Sequence, residues 1–306
     1  MISVLMSIYN EELVWLKESI ESILNQTYTE FEFIIIVDNP NIGSDKRAYL
    51  EEISKRDNRV IIHYNPKNMG LMNSLNIGIS LVKGEYIARM DADDISVLTR
   101  LEIELEYMKK NNLDMVSSNR IYIDEMGKKL SKGRPIIRDP QKALPYSNFI
   151  VHSSVMVKTS VLKALNGYRN FYNSEDYDMW LRILSSDYRI GIINQYLIYY
   201  RIRNNSMSWK NKLEQYYISV YQQKMYRERL KTGEDSFSEE NLQKYIKSKH
   251  ISEGKNKRYM FTRKMLDKAI IEYKKKNWHF ISYFMLAFLG YPSVVCANVK
   301  SVLCMK

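Results

Sequence analysis

Cysteine is nearly missing from this chain: there are two in 306 residues, Cys296 and Cys304, both near the C-terminus. No disulfide framework can hold the body together, so the fold must rest on an apolar core, in keeping with a reducing compartment. Proline (6) and glycine (11) are few, which excludes a collagenous or broadly disordered chain. The start carries no basic leader with a cleavage site, and a cytoplasmic location is expected. After the first apolar run there is neither a Walker lysine loop nor G-x-G-x-x-G, so no glycine cradle holds a phosphate. H-E-x-x-H and Cys/His clusters are also missing, and a zinc site is not expected.

The length is enough for one large domain and an appendage. Charge is spread unevenly along it. Residues 1–200 hold 24 Lys+Arg against 26 Asp+Glu, whereas residues 201–306 hold 22 against 9. A near-neutral body with a strongly basic tail suggests an enzyme or binder whose tail meets an anionic surface.

Apolar runs at Ile2–Ile8, Phe31–Val37, Val60–His63 and from Tyr86 read as buried strands. Helical spacing follows the first of them, with Leu13, Leu16, Ile20, Ile23 and Leu24 on one face, and returns over Asn73–Val82. Strands that are apolar on both faces and alternate with helices imply a parallel sheet of βαβ units, an α/β fold. Ligands of such a sheet sit beyond the carboxyl ends of its strands. Tyr9, Asp38, Asn68 and Asp91 fall at those ends, although polar residues gather at strand ends for loop reasons too.

The most telling stretch is Tyr86-Ile87-Ala88-Arg89-Met90-Asp91-Ala92-Asp93-Asp94. A strand that ends in three crowded carboxylates invites a compensating cation, and all-oxygen ligands favour Mg²⁺ or Mn²⁺. A diphosphate bound without a glycine cradle needs such a bridge. The alternative is that Asp93 and Asp94 cap a helix expected over Ser96–Lys110, which explains one or two of the three acids.

Further along, Met115–Ser118 and His152–Val157 read as strands, and Asp124–Pro140 as a hairpin and loop. Glu175-Asp176-Tyr177-Asp178 opens a helix, and its acids are open to the reading of a capped N-terminus. That reading is the expectation for Asp178. His152 is either a ligand contact or a packed histidine.

Taken together, Ser7-Ile8-Tyr9-Asn10-Glu11, the strand ending in Asp38, Asn68-Met69-Gly70-Leu71 and Asp91-Ala92-Asp93-Asp94 resemble a family 2 inverting glycosyltransferase of GT-A fold. His152–Met156, Gly167-Tyr168 and Glu175–Arg182 continue the resemblance, which covers roughly residues 1–205 and is similar to bacterial O-antigen and capsule enzymes. It implies a mostly parallel sheet flanked by helices. A nucleotide-sugar half would span 1–100, an acceptor half 101–205, and a basic helical region 206–306. It also implies a UDP-sugar donor, with Ser7, Tyr9, Asp38, Asn68 and Asp91 at the nucleotide sugar. Mn²⁺ or Mg²⁺ would sit on Asp93 with help from Asp91. Asp176 would be the base that deprotonates the acceptor hydroxyl, with Glu175, His152 and Arg201 (with Arg203 beside it) near the acceptor or diphosphate. The Asp-x-Asp-Asp pattern further implies a β-linked hexose.

The tail is helical in pattern over Trp209–Lys231, Glu239–Lys249 and Lys255–Lys276. Phe280–Val299 bears no formal charge but is interrupted at Gly290-Tyr291-Pro292, so two half-length pieces are expected rather than a span. Lysines beside it favour anionic lipid, which suggests a polyprenyl-diphosphate-linked carbohydrate acceptor at the inner face of the cell membrane, as in bacterial surface polysaccharide assembly. Nucleic acid is not expected as a partner, because no such motif occurs and the acidic crevice would be unexplained. Two rival readings remain: a sugar-phosphate nucleotidyltransferase, which lacks its loop here, and a non-catalytic carbohydrate- or lipid-binding module on the same scaffold.

Overall fold

The computed structural model describes residues 1–133, 135, 139–172, 174–203 and 212–300, and the backbone of 301–303. The chain divides into two units, and the boundary between them passes through a helix. One unit holds Met1–Pro140, Phe149–Asn170 and Asp178–Asn204, the other Gln141–Asn148, Phe171–Tyr177 and the C-terminal part.

The first unit is built on one mixed sheet. Strands β1 (Ile2–Ile8), β2 (Phe31–Val37), β3 (Val60–Tyr64) and β4 (Tyr86–Asp91) form its parallel half in the order β3-β2-β1-β4. Register places Ile2 beside both Phe31 and Tyr86, and Ser7 beside both Ile36 and Asp91. Every residue of β2 is buried, as a run apolar on both faces requires when helices cover both sides. Those helices are α1 (Leu13–Leu24), α2 (Ser44–Arg56) and α3 (Leu71–Leu81). The other half is mixed: β5 (Ile95–Ser96), β6 (Met115–Ile123), β7 (Lys129–Lys132), β8 (Val155–Lys158) and β9 (Ile190–Arg201) continue the sheet as β4-β8-β6-β9-β5, with β7 on β6. The hairpin expected after Asp124 is the β6–β7 pair; the expected loop beyond it lies partly outside the described residues.

Three boundaries differ from expectation. Helix α2 gave no usable signal, because only Tyr49, Leu50 and Ile53 are buried in thirteen mostly charged residues. The helix expected from Ser96 begins at Arg100 (α4, Arg100–Asn111), after the short strand β5. His152–Ser154 is a 3₁₀ turn that leads into β8 rather than part of it. Two short helices, α5 (Pro140–Ala143) and α6 (Thr159–Ala164), precede α7 (Glu175–Ser185).

One glycine has a demanding place. Gly167 has φ +66°, and an added Cβ would stand 2.3 Å from Asn76 Oδ1. Asn76 there clasps Tyr168 from both sides, accepting from its N–H at 2.8 Å and donating to its carbonyl at 2.9 Å.

The second unit is helical: α8 (Lys212–Thr232), α9 (Glu239–Ser248), α10 (Glu253–Lys274), α11 (His279–Gly290) and α12 (Pro292–Leu303). Ser238 and Ser252 cap α9 and α10 by accepting from the N–H groups of Asn241 and Lys255. One core joins Leu213, Tyr259, Met265, Leu266, Ala287 and Val294; another joins Phe171, Ile218, Tyr221, Met225 and Leu242. The uncharged run is broken at Tyr291 into α11 and α12, and among the described residues no helix is long and apolar enough to cross a membrane.

Candidate active site

Strand β4 delivers Asp91 to the carboxyl edge of the sheet, beside Ser7 of β1. The chain then turns tightly, with Asp94 N–H donating to the Asp91 carbonyl at 3.3 Å and Ser19 Oγ to the same oxygen at 2.8 Å. Buried Ala92 brings the acids close, and each meets a different environment. Asp91 accepts from Arg89 at 2.7 Å and is 30% exposed. Asp93 pairs with Arg203 Nε at 2.8 Å; burial, then the Asp91 charge, push its carboxyl up to about 6 despite that arginine. Asp94 is fully enclosed, accepts from Ser153 Oγ and from the Arg201 N–H, and is pushed well up by burial and by Asp93 and Asp91.

The capping alternative therefore fails. Helix α4 starts six residues beyond Asp94, with Thr99 at its N-cap, and Asp94 is a buried strut instead. Nor did crowding by itself demand a metal ion, because Arg89 and Arg203 supply positive charge from the chain.

Asp38 ends β2 as predicted, but it is 2% exposed. Its carboxylate accepts from the N–H groups of Met69 and Gly70, each at 2.8 Å, and from Asn65 Nδ2 at 2.7 Å. Asn68 Oδ1 also accepts from Gly70 N–H, at 3.0 Å. Asp38 and Asn68 thus shape the loop after β3, whose Gly70 has φ +80°. Tyr9 is exposed at the end of β1, where its carbonyl accepts from Asn39 Nδ2 at 3.0 Å. Ser7, Tyr9, Asp38, Asn68, Asp91 and Asp93 accordingly share one edge of the parallel sheet.

His152 Nε2 lies 2.9 Å from Tyr168 Oη, and the imidazole meets Trp180 edge-on with ring centres 5.8 Å apart. Burial and the nearby Arg89 hold its pKa well below the ordinary range, so the ring is neutral near pH 7.

Arg201 requires a correction: it is 3% exposed and does not present its guanidinium to a diphosphate. Its N–H groups donate to the carbonyls of Asp93, Asp124 and Glu125 and to the Glu18 carboxylate. The arginine that faces an acid of the turn is Arg203. The loop expected to follow it, 204–208, lies outside the described residues.

In the second unit, α7 opens with Glu175, which is buried, and Asp176, which is partly exposed. Asp176 Oδ2 accepts from Asn148 Nδ2 at 3.1 Å, and Oδ1 from the Tyr177 N–H at 2.6 Å. Tyr177 anchors this segment by donating its hydroxyl to the Leu144 carbonyl at 2.6 Å. Asp178, in the first unit, is no helix cap. It is 0% exposed and pairs with Arg169 at 2.5 Å and Arg182 at 2.8 Å; both arginines were too far along the sequence, or too ordinary in it, to be matched to it beforehand.

The family described as glycosyl transferase family 2 matches residues 3–166. A glycosyltransferase of Methanocaldococcus jannaschii is 40% identical over 225 residues, covering 71% of this chain and 77% of that protein. This chain belongs to glycosyltransferase family 2. The O-antigen biosynthesis glycosyltransferase WbnJ of Escherichia coli is 37% identical over 224 residues, covering 72% of this chain and 87% of that one. Residues 1–349 of TarS from S. aureus, solved in complex with UDP-GlcNAc, share the GT-A fold at TM-score 0.61 and 16% identity, over 80% of this chain and 70% of that one.

GT-A glycosyltransferases commonly use a divalent metal, and the acids here suit one that draws most of its ligands from phosphate and water. Among the described residues no cluster of three or more metal-type side chains is assembled; Mg²⁺ commonly needs only one or two carboxylates. Asp93, held up to about 6 by burial and by Asp91, is a carboxylate whose ionised form a neighbouring cation would favour. Two residues that act on the acids of this turn give the candidate site features the sequence did not single out. Arg89 had a usable signal, being a lone charge inside a buried strand two residues before an acid. Tyr200, pushed up by burial and by Asp94, Asp91 and Asp93, had none.

Proposed function

We propose that this glycosyltransferase moves a hexose, with inversion to a β-linkage, from a UDP-sugar to a carbohydrate acceptor carried on polyprenyl diphosphate, in the assembly of a bacterial surface polysaccharide. The observation that carries the reading is the Asp91–Asp94 turn. It sets two part-accessible carboxylates beside Ser7 at the sheet edge where α/β folds bind nucleotides. The UDP-GlcNAc bound by TarS supports the donor class, and the O-antigen role in WbnJ's name supports the pathway class.

In this reading residues 1–100 bind the nucleotide sugar, 101–205 the acceptor, and 206–306 meet the membrane. Ser7 and Tyr9 line the nucleoside, with Asp38 and Asn68 holding the loop beside it. Asp93, with Asp91, would hold Mn²⁺ or Mg²⁺, which when bound would offset the charge of the leaving diphosphate. Asp176 takes the proton from the acceptor hydroxyl as its oxygen bonds to the anomeric carbon from the face opposite UDP. The bond from that carbon to the diphosphate oxygen breaks, and UDP leaves with the electron pair. Hydrogen bonds from Asn148 and from the Tyr177 N–H orient this carboxylate. Glu175 supports the start of the helix that carries it.

An exposed stripe of Trp278, at the N-cap of α11, and Met285 and Leu289 on that helix, 79%, 54% and 69% exposed, follows Lys274-Lys275-Lys276. It supports peripheral attachment to the anionic cytoplasmic face of the membrane.

Thermal shift with UDP-, GDP- and dTDP-sugars, with and without Mn²⁺, tests the donor. Stabilisation by UDP-sugars that requires Mn²⁺ is expected. Stabilisation by GDP- or dTDP-sugars alone would overturn the donor class, and shifts indifferent to Mn²⁺ the metal.

A further inference from the structure

The second unit carries an open cleft of about 600 Å³ apart from the Asp91–Asp94 turn. Two helices line it with the same spacing: Lys212, Gln215, Tyr216, Ser219, Val220 and Gln223 on α8, and Met260, Arg263, Lys264, Asp267, Lys268 and Ile271 on α10. Steps of three and four residues put each set on a single helix face. Four cations meet one carboxylate, Asp267, along this lining. Elsewhere Lys257 of α10 pairs with Glu253 and Lys275, just past its end, with Glu272, whereas Lys255 donates to the Lys249 carbonyl. Facing the cavity, Arg263 and Lys264 have no carboxylate within ion-pair distance among the described residues, and Lys268 lies over the Tyr283 ring at 5.3 Å. Burial and the charge of Arg263 lower the pKa of Lys212, as expected where like charges face one space. Apolar groups complete the wall: Val220, Met260, Ile271, Val294 and Ala297.

Four cations beside an apolar wall suit an anionic amphiphile, and the amides of Gln215 and Gln223 and the hydroxyl of Ser219 can meet its phosphate oxygens as well. One more contact ties the cavity to the proposed chemistry: Asn148, part of its lining, is the residue that donates to Asp176 at 3.1 Å. We infer that this cavity binds the prenyl diphosphate end of the acceptor, with its cations on the phosphates and its apolar wall on the first isoprene units. The inference rests on the lipid-linked acceptor proposed above.

The test uses the full chain with excess UDP, so that the nucleotide site is filled, and titrates farnesyl diphosphate, inorganic pyrophosphate and farnesol. Farnesyl diphosphate is expected to bind at least tenfold more tightly than either fragment. The double variant Arg263→Gln/Lys264→Gln, at exposed positions, is expected to weaken it at least tenfold and leave UDP binding unchanged. Ala297→Phe, which fills the apolar wall, gives an independent check with the same expected loss. Wild-type affinity for farnesyl diphosphate in both variants would overturn the inference. So would equal affinity for pyrophosphate, which marks a plain anion site, or loss of UDP binding, which marks a nucleotide site. If farnesyl diphosphate binds as expected but no lipid-linked acceptor is glycosylated, the cavity assignment stands and the proposed acceptor falls. If a lipid-linked acceptor is used with the same KM by wild type and both variants, the reverse holds.

Discussion

In the first unit, three carboxylates lie within four residues, and each is met by a group of the protein: Arg89 on Asp91, Arg203 on Asp93, Ser153 and the Arg201 N–H on Asp94. In the second unit, Arg263 and Lys264 face a cavity with no carboxylate within ion-pair distance among the described residues. Like charge is concentrated in both places, yet the three acids each have a close partner, whereas four cations of the cleft share one carboxylate, Asp267. A charged run therefore says little until its partners are known. Several cations lining one cleft point more directly to an anionic ligand than charge that is merely dense along the sequence.

The largest effect that sharpens this comparison is catalytic. Asp176→Asn is expected to lower kcat by about 10²–10⁴, the usual worth of a positioned base, with UDP-dependent stabilisation unchanged; UDP release assayed with acceptor and Mn²⁺ checks it. Unchanged turnover would remove Asp176 from the mechanism.

Next comes Asp178, a buried acid of the first unit held by two arginines. Asp178→Ala leaves Arg169 and Arg182 without their buried partner, and a loss of about 3–5 kcal/mol is expected in denaturant unfolding. A loss of a few tenths would show that the pairs are worth little.

Glu104 gives a pH-dependent version of the same contrast. Burial pushes its carboxyl up to about 7, partly offset by Arg100. Between its unfolded value near 4.5 and about 7, the folded state keeps a proton that the unfolded state has lost. Stability from this group therefore falls as pH rises through that window. Glu104→Gln should gain stability relative to the wild type on going from pH 5 to pH 8; a difference constant with pH would contradict the shift.

The smallest effect concerns the exposed apolar stripe. The triple variant Trp278→Ser/Met285→Ser/Leu289→Ser should float with anionic vesicles about tenfold less than the wild type. Equal flotation would separate α11 from the membrane. Side-chain variants are the right tool because Ala287, Val294 and Val295 belong to the core of the second unit, so truncation would disturb the fold as well as the surface.

Much of the parallel half was legible because its strands are buried on both faces and read as unbroken apolar runs. Helix α2 was not, since three buried residues among lysines, arginines and acids leave a weak periodic trace. The site was legible as a set of residue types at strand ends. Their individual states were not, because these depend on partners far along the chain: Ser153 is 59 residues from Asp94, and Arg201 is 107. Asp178 shows the same limit. Its position suggested a helix cap, whereas Arg169, nine residues earlier, made it a buried ion pair.

The most direct measurement is a crystal structure with Mn²⁺ and UDP. The ion is expected on Asp93, next to a diphosphate that lies along the ends of β1 and β4. Nucleotide and ion bound together at any other place on the chain would contradict it.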